Sequence, residues 1–328
     1  MRVVVLAGGL SDERDVSLVS GSLIANALAS KGYEVALLDL SKNLDTLDFE
    51  KLFSKEQRIY DFKISEKNPE INKEKRKIGK NVLECLKYAD IVFNALHGSI
   101  GENGELQEIF DRLGIKYTGT GPIGSKIAMN KEMTKKILIN NNILVPQIFD
   151  STNFAFPVIV KPANNGSSIG VSIVHDSKQL EEAIKKVEEI DSKVIIEEYI
   201  NGREFSVAIL DNKALPIIEI KPKVGFYDYK NKYQEGLTEE ICPADLDEEK
   251  TREIQDIALK VHHVLKLGTY SRIDFIMSSK GDIYCLEANT LPGMTPVSLM
   301  PQEAKAAGIG YENLCEIILK LSLNSLKK

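Results

Sequence analysis

Four cysteines in 328 residues, Cys85, Cys242, Cys285 and Cys315, stand far apart and form no C-x-x-C pair. Neither a zinc site nor a disulfide framework has the spacing it needs. We expect reduced, buried thiols, with Cys285 packing inside the apolar run Ile283 to Leu286 rather than acting as a nucleophile. Tryptophan is absent as well, which excludes nothing. No apolar run approaches the ~20 residues that cross a bilayer, and the opening MRVVVLAGGL meets the acidic SDERD before a cleavage pattern can form. The expectation is a cytoplasmic protein with no membrane partner. An excess of basic charge is also missing: 42 Lys plus Arg against 48 Asp plus Glu leave a formal charge of −6, which disfavours nucleic acid. Lys51 to Lys80 is a local exception, with ten basic and five acidic side chains, and reads as a solvated insertion.

What is present suits two or three cores, since 43% of the residues are hydrophobic. Val3 to Ala7 is a strand closed by Gly8-Gly9, followed by a helical pattern from Ser17 to Ser30 and a strand from Glu34 to Asp39. A further strand, Ile91 to Ala95, ends at His97-Gly98; a helix near Leu106 to Leu113 and a short strand near Lys116 to Thr118 follow. This predicts an open parallel α/β sheet with its ligand crevice at the carboxyl ends of the strands. One helix is expected from Ser125 to Asn140. A small α+β module then has strands at Pro157 to Lys161, Val171 to Val174 and Lys193 to Tyr199 and a helix at Ser177 to Glu189. Strands Glu204 to Leu210 and Leu215 to Lys221, a helix Glu248 to Leu265, a hairpin near 270–290 and a helix Tyr311 to Leu321 complete the chain. The fold class is α/β in three domains: 1–119, open parallel; 120–201, small α+β; and 202–328, antiparallel α+β.

The segment YSRIDFIMSSKGDIYCLEANT carries the strongest chemical signal. If Lys280-Gly281 forms a two-residue turn, or Ser279 to Asp282 a four-residue one, residues whose numbers sum to 561 face each other, which sets Asp274 opposite Glu287 and Arg272 opposite Asn289, with Phe275 opposite Leu286 and Ile273 opposite Ala288 on the other face. Paired carboxylates repel across a ladder unless a cation lies between them. Oxygen donors from Asp274, Glu287 and Asn289, with no His or Cys beside them, favour a hard ion such as Mg2+. The bland alternative is an ion-rich hairpin in which Arg272 neutralises the acids. In VIVKPANNGSSIGVS, Lys161 ends an apolar strand, and Gly166, Ser167, Ser168 and Gly170 offer N–H groups and hydroxyls to phosphates.

Other patterns promise less. Gly119, Gly121 and Gly124 spell G-x-G-x-x-G, yet Pro122 sits in the turn and no acidic residue ends a second strand about 20 residues on. An interdomain turn is the better account. His262-His263 reads as one packing and one surface residue, whereas His97 opens the loop HGSIGENG at the expected crevice and is a substrate-contact candidate.

Taken in order, AGGLSDERDVS, ALHGSIGENGELQ, MNKEMTK, IVKPANNGSSIGVS, EEYINGREFSVAIL, FYDYKNKY, ICPA, RIDF and LEANTLPGMTPVSL resemble, essentially end to end, the ATP-grasp ligases and within them the D-alanine–D-alanine ligase family. The resemblance implies an ATP-grasp fold and ATP-dependent joining of two D-alanine molecules through an acyl phosphate, for peptidoglycan precursor synthesis. It implies that Lys131, Lys161 and Lys232 meet the nucleotide phosphates, that Glu197, Glu198, Tyr199 and Ile200 meet adenine and that Glu204 meets ribose. Asp274, Glu287 and Asn289 are similar to ligands for two Mg2+ ions, with Mn2+ as a substitute. Glu13, Ser167 and Tyr233 resemble a linked set around the first D-alanine. Arg272 and the Gly293 amide resemble oxyanion stabilisers, and Ser298 with Leu299 a second-substrate contact. Pro296-Val297 departs from the family, which more often has a polar residue before that serine. A homodimer is the implied assembly. The rivals are ligases joining D-alanine to D-lactate or D-serine, then other ATP-grasp carboxylate–amine ligases. A nucleotide-binding sensor would not need the metal set together with Arg272.

Overall fold

Strand β1 (Arg2–Ala7) is buried from Val3 onward because both faces of its sheet are covered, which is why its sequence is a continuous apolar run rather than an alternating one. The computed structural model describes residues 1–45, 48, 52–53, 60–62, 77–149, 153–164, 166, 168–223, 225 and 236–325. Strands β2 (Glu34–Asp39) and β3 (Ile91–Asn94) flank β1 in parallel, in the order β2-β1-β3. Helix α1 (Arg14–Ser30) crosses from β1 to β2, and Gly21 lets it approach so closely that a Cβ there would lie 2.5 Å from that of Ala7. The expected strand at 116–118 is reduced to one bridge, Val92 with Tyr117. Most of the basic stretch 51–80 lies outside the described residues.

Short helices α2 (Val82–Leu86) and α3 (Ser99–Glu102) and the longer α4 (Glu105–Leu113) complete this layer. The single helix expected at 125–140 is two: α5 (Pro122–Met129) and α6 (Lys131–Asn140). Asn130 breaks the run because its side chain accepts from the Met133 N–H at 2.9 Å, capping α6 in place of continuing α5. That break puts Lys131 in the first turn of a new helix.

Strands β4 (Val158–Pro162), β5 (Ser172–Val174) and β6 (Val194–Glu198) form an antiparallel sheet, order β5-β4-β6, backed by α7 (Ser177–Glu188). Asp176 caps α7 through the Gln179 N–H at 2.8 Å. The third sheet runs β10-β9-β7-β11-β12 with β8 paired to β7. Its strands are β7 (Gly202–Leu210), β8 (Lys213–Ala214), β9 (Ile218–Pro222), β10 (Thr238–Ile241), β11 (Tyr270–Ser278) and β12 (Ile283–Asn289). One strand was expected at 215–221. Pro216 has no N–H to give the ladder, so the pairing splits there into β8 and β9. Helix α8 (Glu248–Val264) covers one face of this sheet.

The sum-of-561 register holds where chemistry was expected, with Arg272 opposite Asn289, Ile273 opposite Ala288 and Asp274 opposite Glu287. Beyond Asp274 it fails: Phe275 pairs with Cys285 rather than Leu286. The turn is neither the two-residue nor the four-residue one expected: Ser278 N–H bonds to Asp282 O at 2.9 Å around a three-residue loop in which Gly281 has φ +87°. A glycine in the left-handed region closes such a three-residue loop. The one-residue shift is then undone by a bulge at Leu286, which turns its side chain away from the core face. Cys285 is buried and free as expected, and burial raises its thiol pKa.

Helices α9 (Leu299–Ala306) and α10 (Tyr311–Ser325) end the described chain. Helix α10 packs on α1, so Ile318 and Leu319 share a core with Val3, Ile24 and Phe93. Tyr33 donates to Glu316 at 2.9 Å across the same contact. The last helix therefore ties the parallel sheet to the third sheet, whose Ala208, Leu210 and Tyr270 belong to the same core.

Gly124 tests the G-x-G-x-x-G segment. A Cβ there would lie 2.4 Å from the Lys266 carbonyl and 2.6 Å from the Thr120 methyl, so the glycine serves close packing of α5 on the end of α8. Gly124→Ala is expected to lower stability by ~1–3 kcal/mol, the usual cost of overpacking, seen as a lower urea midpoint. Nucleotide affinity should not change; a selective loss of affinity would give the G-x-G-x-x-G segment a nucleotide-binding role in place of the interdomain turn.

Candidate active site

Three clefts meet along the β11–β12 hairpin, and Glu287 lines all of them. The first lies between the two antiparallel sheets and encloses about 960 Å³, its solvent mouth included. Its walls are apolar, with Pro146, Ile159, Ile173, Ile276 and Leu286, and its polar lining includes Lys131, Lys161, Ser168, Glu204, Asp274 and Glu287. An apolar slot with lysines among its lining residues suits a flat heterocycle carrying phosphates. Glu197, Glu198, Tyr199 and Ile200 line the same space, so the described residues expected to meet adenine and ribose, together with Lys131, Lys161 and Ser168, border one cleft, whereas Gly166 and Gly170 of the glycine-serine loop do not line it.

Lys161 and Lys131 reach it from different elements. Lys161 stands on β4 and is ion-paired with buried Glu197, which also holds Lys135 of α6. Burial alone would raise the Glu197 pKa, but the ammonium groups of Lys161 and Lys135 reverse that and hold it below the usual carboxylate range. Lys131 is buried and its pKa is lowered, by desolvation first and by Lys161 second among the lowering effects, while Glu287 opposes the fall.

The second cleft, of about 700 Å³, gathers Glu13, His97, Arg272, Asn289, Gly293, Ser298 and Leu299. Glu13 enters from the start of α1. Its Oε2 lies 3.1 Å from a Cβ placed on Gly98 and 3.5 Å from one on Gly166, so the first layer and the glycine-serine loop meet at this carboxylate. Ser298 Oγ is 2.8 Å from Thr295 Oγ1 and accepts from the Thr295 N–H at 3.1 Å. A Cβ on Gly293 would stand 2.8 Å from that same Oγ, which explains glycine there. Tyr311 donates to the Met294 carbonyl at 2.6 Å and steadies the loop from α10. His97 is buried, its Nε2 without a hydrogen-bond partner among the described residues, and desolvation lowers its pKa. His262 is buried against Ser271 at 2.7 Å while His263 is exposed, as their positions in the helix predicted. Ser167, Lys232 and Tyr233 lie outside the described residues.

A narrower passage lined by Glu102, Met129, Lys131, Gly166, Glu287 and Asn289 borders both clefts. Glu102 was not anticipated. It lies in HGSIGENG five residues after His97, and helix α3 folds it back so that it accepts from the Gly98 N–H at 2.6 Å. An acid inside a loop at a strand's carboxyl end was the available signal. Burial and then the charge of Glu13 push its pKa up to about 8. A carboxyl whose folded pKa is raised adds stability below its unfolded value, and that stability is lost as pH rises through the folded one. Wild-type stability should therefore decline between about pH 5 and 9, and Glu102→Gln should flatten that slope; an unchanged slope in urea titrations would contradict the assignment.

Asp274 accepts from Ser206 at 2.7 Å, from Arg272 at 2.9 and 2.7 Å, and from the Asn289 amide at 3.1 Å. Part of the bland alternative is thus realised, since Arg272 does neutralise Asp274. Glu287 is different, for it faces all three clefts. Rotating the Asn289 amide would exchange a donor for an oxygen, leaving Asp274, Glu287 and Asn289 as an all-oxygen set across one ladder step. No group of three His, Cys, Asp or Glu suited to a metal occurs among the described residues. Two carboxylates and an amide are too few for a closed protein cage but fit an ion that shares its coordination with phosphates and water, as Mg2+ does.

The profile described as D-ala D-ala ligase N-terminus matches residues 2–120, and that described as D-ala D-ala ligase C-terminus matches 127–320. A D-alanine–D-alanine ligase of Pediococcus pentosaceus is 43% identical over 97% of both chains. One from Lacticaseibacillus casei is 42% identical over 96% of this chain and 93% of its own. A crystal structure of D-alanine–D-alanine ligase from Bacillus anthracis superposes with a TM-score of 0.80 at 34% identity, covering 100% of this chain and 99% of that one. The same enzyme complexed with ATP gives 0.76 at 31% identity, covering 100% and 98%.

Proposed function

We propose, from the premise that this chain belongs to the D-alanine–D-alanine ligase family, that it joins two D-alanine molecules to D-alanyl-D-alanine at the expense of ATP. The observation that carries this is the meeting of a nucleotide-shaped cleft and an amino-acid-sized one at Glu287. Peptidoglycan precursor synthesis is the role the family implies.

In this account Lys131 and Lys161 draw the phosphates to the end of the first cleft, near the carboxylates. Glu13 and His97 hold the first D-alanine so that its carboxylate attacks the γ-phosphorus, the bond to the β–γ bridging oxygen breaks, ADP leaves and an acyl phosphate forms. Arg272 and the Gly293 N–H stabilise the oxyanion that forms when the second D-alanine's amine attacks the acyl carbon and phosphate leaves. Ser298 and Leu299 border the second substrate. Asp274, Glu287 and Asn289 would hold Mg2+, which offsets negative charge on the phosphate oxygens when bound. Ser167, Lys232 and Tyr233 keep the roles that the resemblance assigns. The domain limits 1–119, 120–201 and 202–328, the homodimer and the cytoplasmic location belong to the same proposal. No helix among the described residues is long and apolar enough to cross a membrane.

The test is ATP consumption with D-alanine, L-alanine and D-lactate offered separately, with product masses. ADP should appear with D-alanine alone, alongside the mass of D-alanyl-D-alanine. Release with L-alanine, or a depsipeptide as main product when D-alanine and D-lactate compete at pH 7, would defeat the substrate assignment.

A further inference from the structure

We propose that Lys135, a residue that does not line the nucleotide cleft, is a positioning residue which keeps a net positive charge at the Lys161 end of that cleft, and Glu197 in place to aim Lys161, by sharing Glu197 with it. The inference rests on the assignment of the first cleft to ATP. Lys135 is 3% exposed, and its Nζ donates to the Pro146 carbonyl at 2.7 Å and to Glu197. The other oxygen of Glu197 takes Lys161, which does line the cleft. Glu197 is itself 3% exposed, so the three groups interact with little solvent screening.

Charge counting gives the cluster its consequence. Two ammonium groups and one carboxylate leave a net charge of +1, and Lys161 is the ammonium of the pair that lines the cleft. Were Lys135 neutral, Glu197 would cancel Lys161, and the phosphates would meet an ion pair with no net charge. Were Glu197 absent, Lys161 would keep its charge but lose the partner that aims it. Lys135 therefore lets Glu197 aim Lys161 without bringing the net charge of the cluster to zero. Its spacing is legible too: Lys131 and Lys135 are four apart on α6, which puts both on one helix face. The first reaches the cleft and the second reaches the carboxylate behind it.

The experiment compares Lys135→Met, Lys135→Arg, Glu197→Gln and the double variant Lys135→Met/Glu197→Gln by calorimetric titration. The ligands are adenylyl imidodiphosphate with Mg2+, and adenosine as the uncharged control. Lys135→Met should weaken the phosphate ligand about tenfold or more, the scale of losing one nearby charge, while adenosine changes much less. Lys135→Arg should stay near wild type. The double variant, again at +1, should recover most of the lost affinity although it removes one more native group. Equal losses for both ligands with no recovery in the double variant would make Lys135 merely structural and overturn the proposal, as would unchanged affinity in Lys135→Met. Should Lys135→Met not fold, Glu197→Gln against the double variant repeats the charge change, and equal affinities there overturn it. A wild-type protein that does not bind the nucleotide analogue would instead defeat the ATP cleft itself.

Discussion

Glutamine in place of Glu287 is expected to cut Mg2+-dependent ligation by at least ~100-fold, the scale on which losing one main electrostatic contributor lowers turnover. The substitution keeps the shape and removes one charge. Glu287 is the position at which the three clefts touch, and it faces Asp274 directly across the ladder. Asp274 already accepts four hydrogen bonds, two of them from Arg272. In the proposed cation site Glu287 is therefore the carboxylate that matters most. The fold should survive, because Glu287 is only half-buried and the hairpin core beneath it is Ile273, Phe275, Cys285 and Ala288. Initial rates across a Mg2+ titration decide it: near-wild-type turnover at ordinary Mg2+ would remove Glu287 from the site.

Lysine in place of Arg272 should lower kcat by ~100- to 1,000-fold, the range for losing one oxyanion donor. Arginine presents a planar fork; lysine offers the same charge as a point on a flexible stem. The fork grips both oxygens of Asp274 while lining the second cleft, the one proposed to take the amino acids. Lysine cannot do both at once. Stability should fall as well, because Asp274 is buried and would lose a bidentate partner. Steady-state kinetics with a parallel melting curve separate the two effects: a lower melting temperature with unaltered kcat would leave Arg272 a structural role only.

Much of this was readable in the chain because local patterns and tertiary needs agreed. The run Val3 to Ala7, the Glu34 to Asp39 strand and the Asp274–Glu287 pairing follow from period and turn chemistry, and the structure holds all three. The hairpin shows the limit of such reasoning. A longer turn and a bulge at Leu286 cancelled at the chemical end but moved Phe275 onto Cys285 between them, and alternation alone cannot reveal two compensating irregularities. Helix α5 ends early because Asn130 finds a backbone N–H to cap, a local competition that periodicity does not register. Glu102 and Lys135 escaped notice because their importance lies in what surrounds them. One ends a short helix whose packing brings Glu13 near, and the other lies behind a carboxylate supplied by a strand some sixty residues away.

The central claim is that phosphate passes from ATP to a D-alanine carboxylate before the peptide bond forms. D-alanine labelled with 18O in its carboxylate tests this directly when the released phosphate is analysed by mass. An acyl phosphate breaks with the bridging oxygen leaving on phosphorus, so each turnover should place one 18O in inorganic phosphate. Unlabelled phosphate, or label appearing in AMP, would contradict the account.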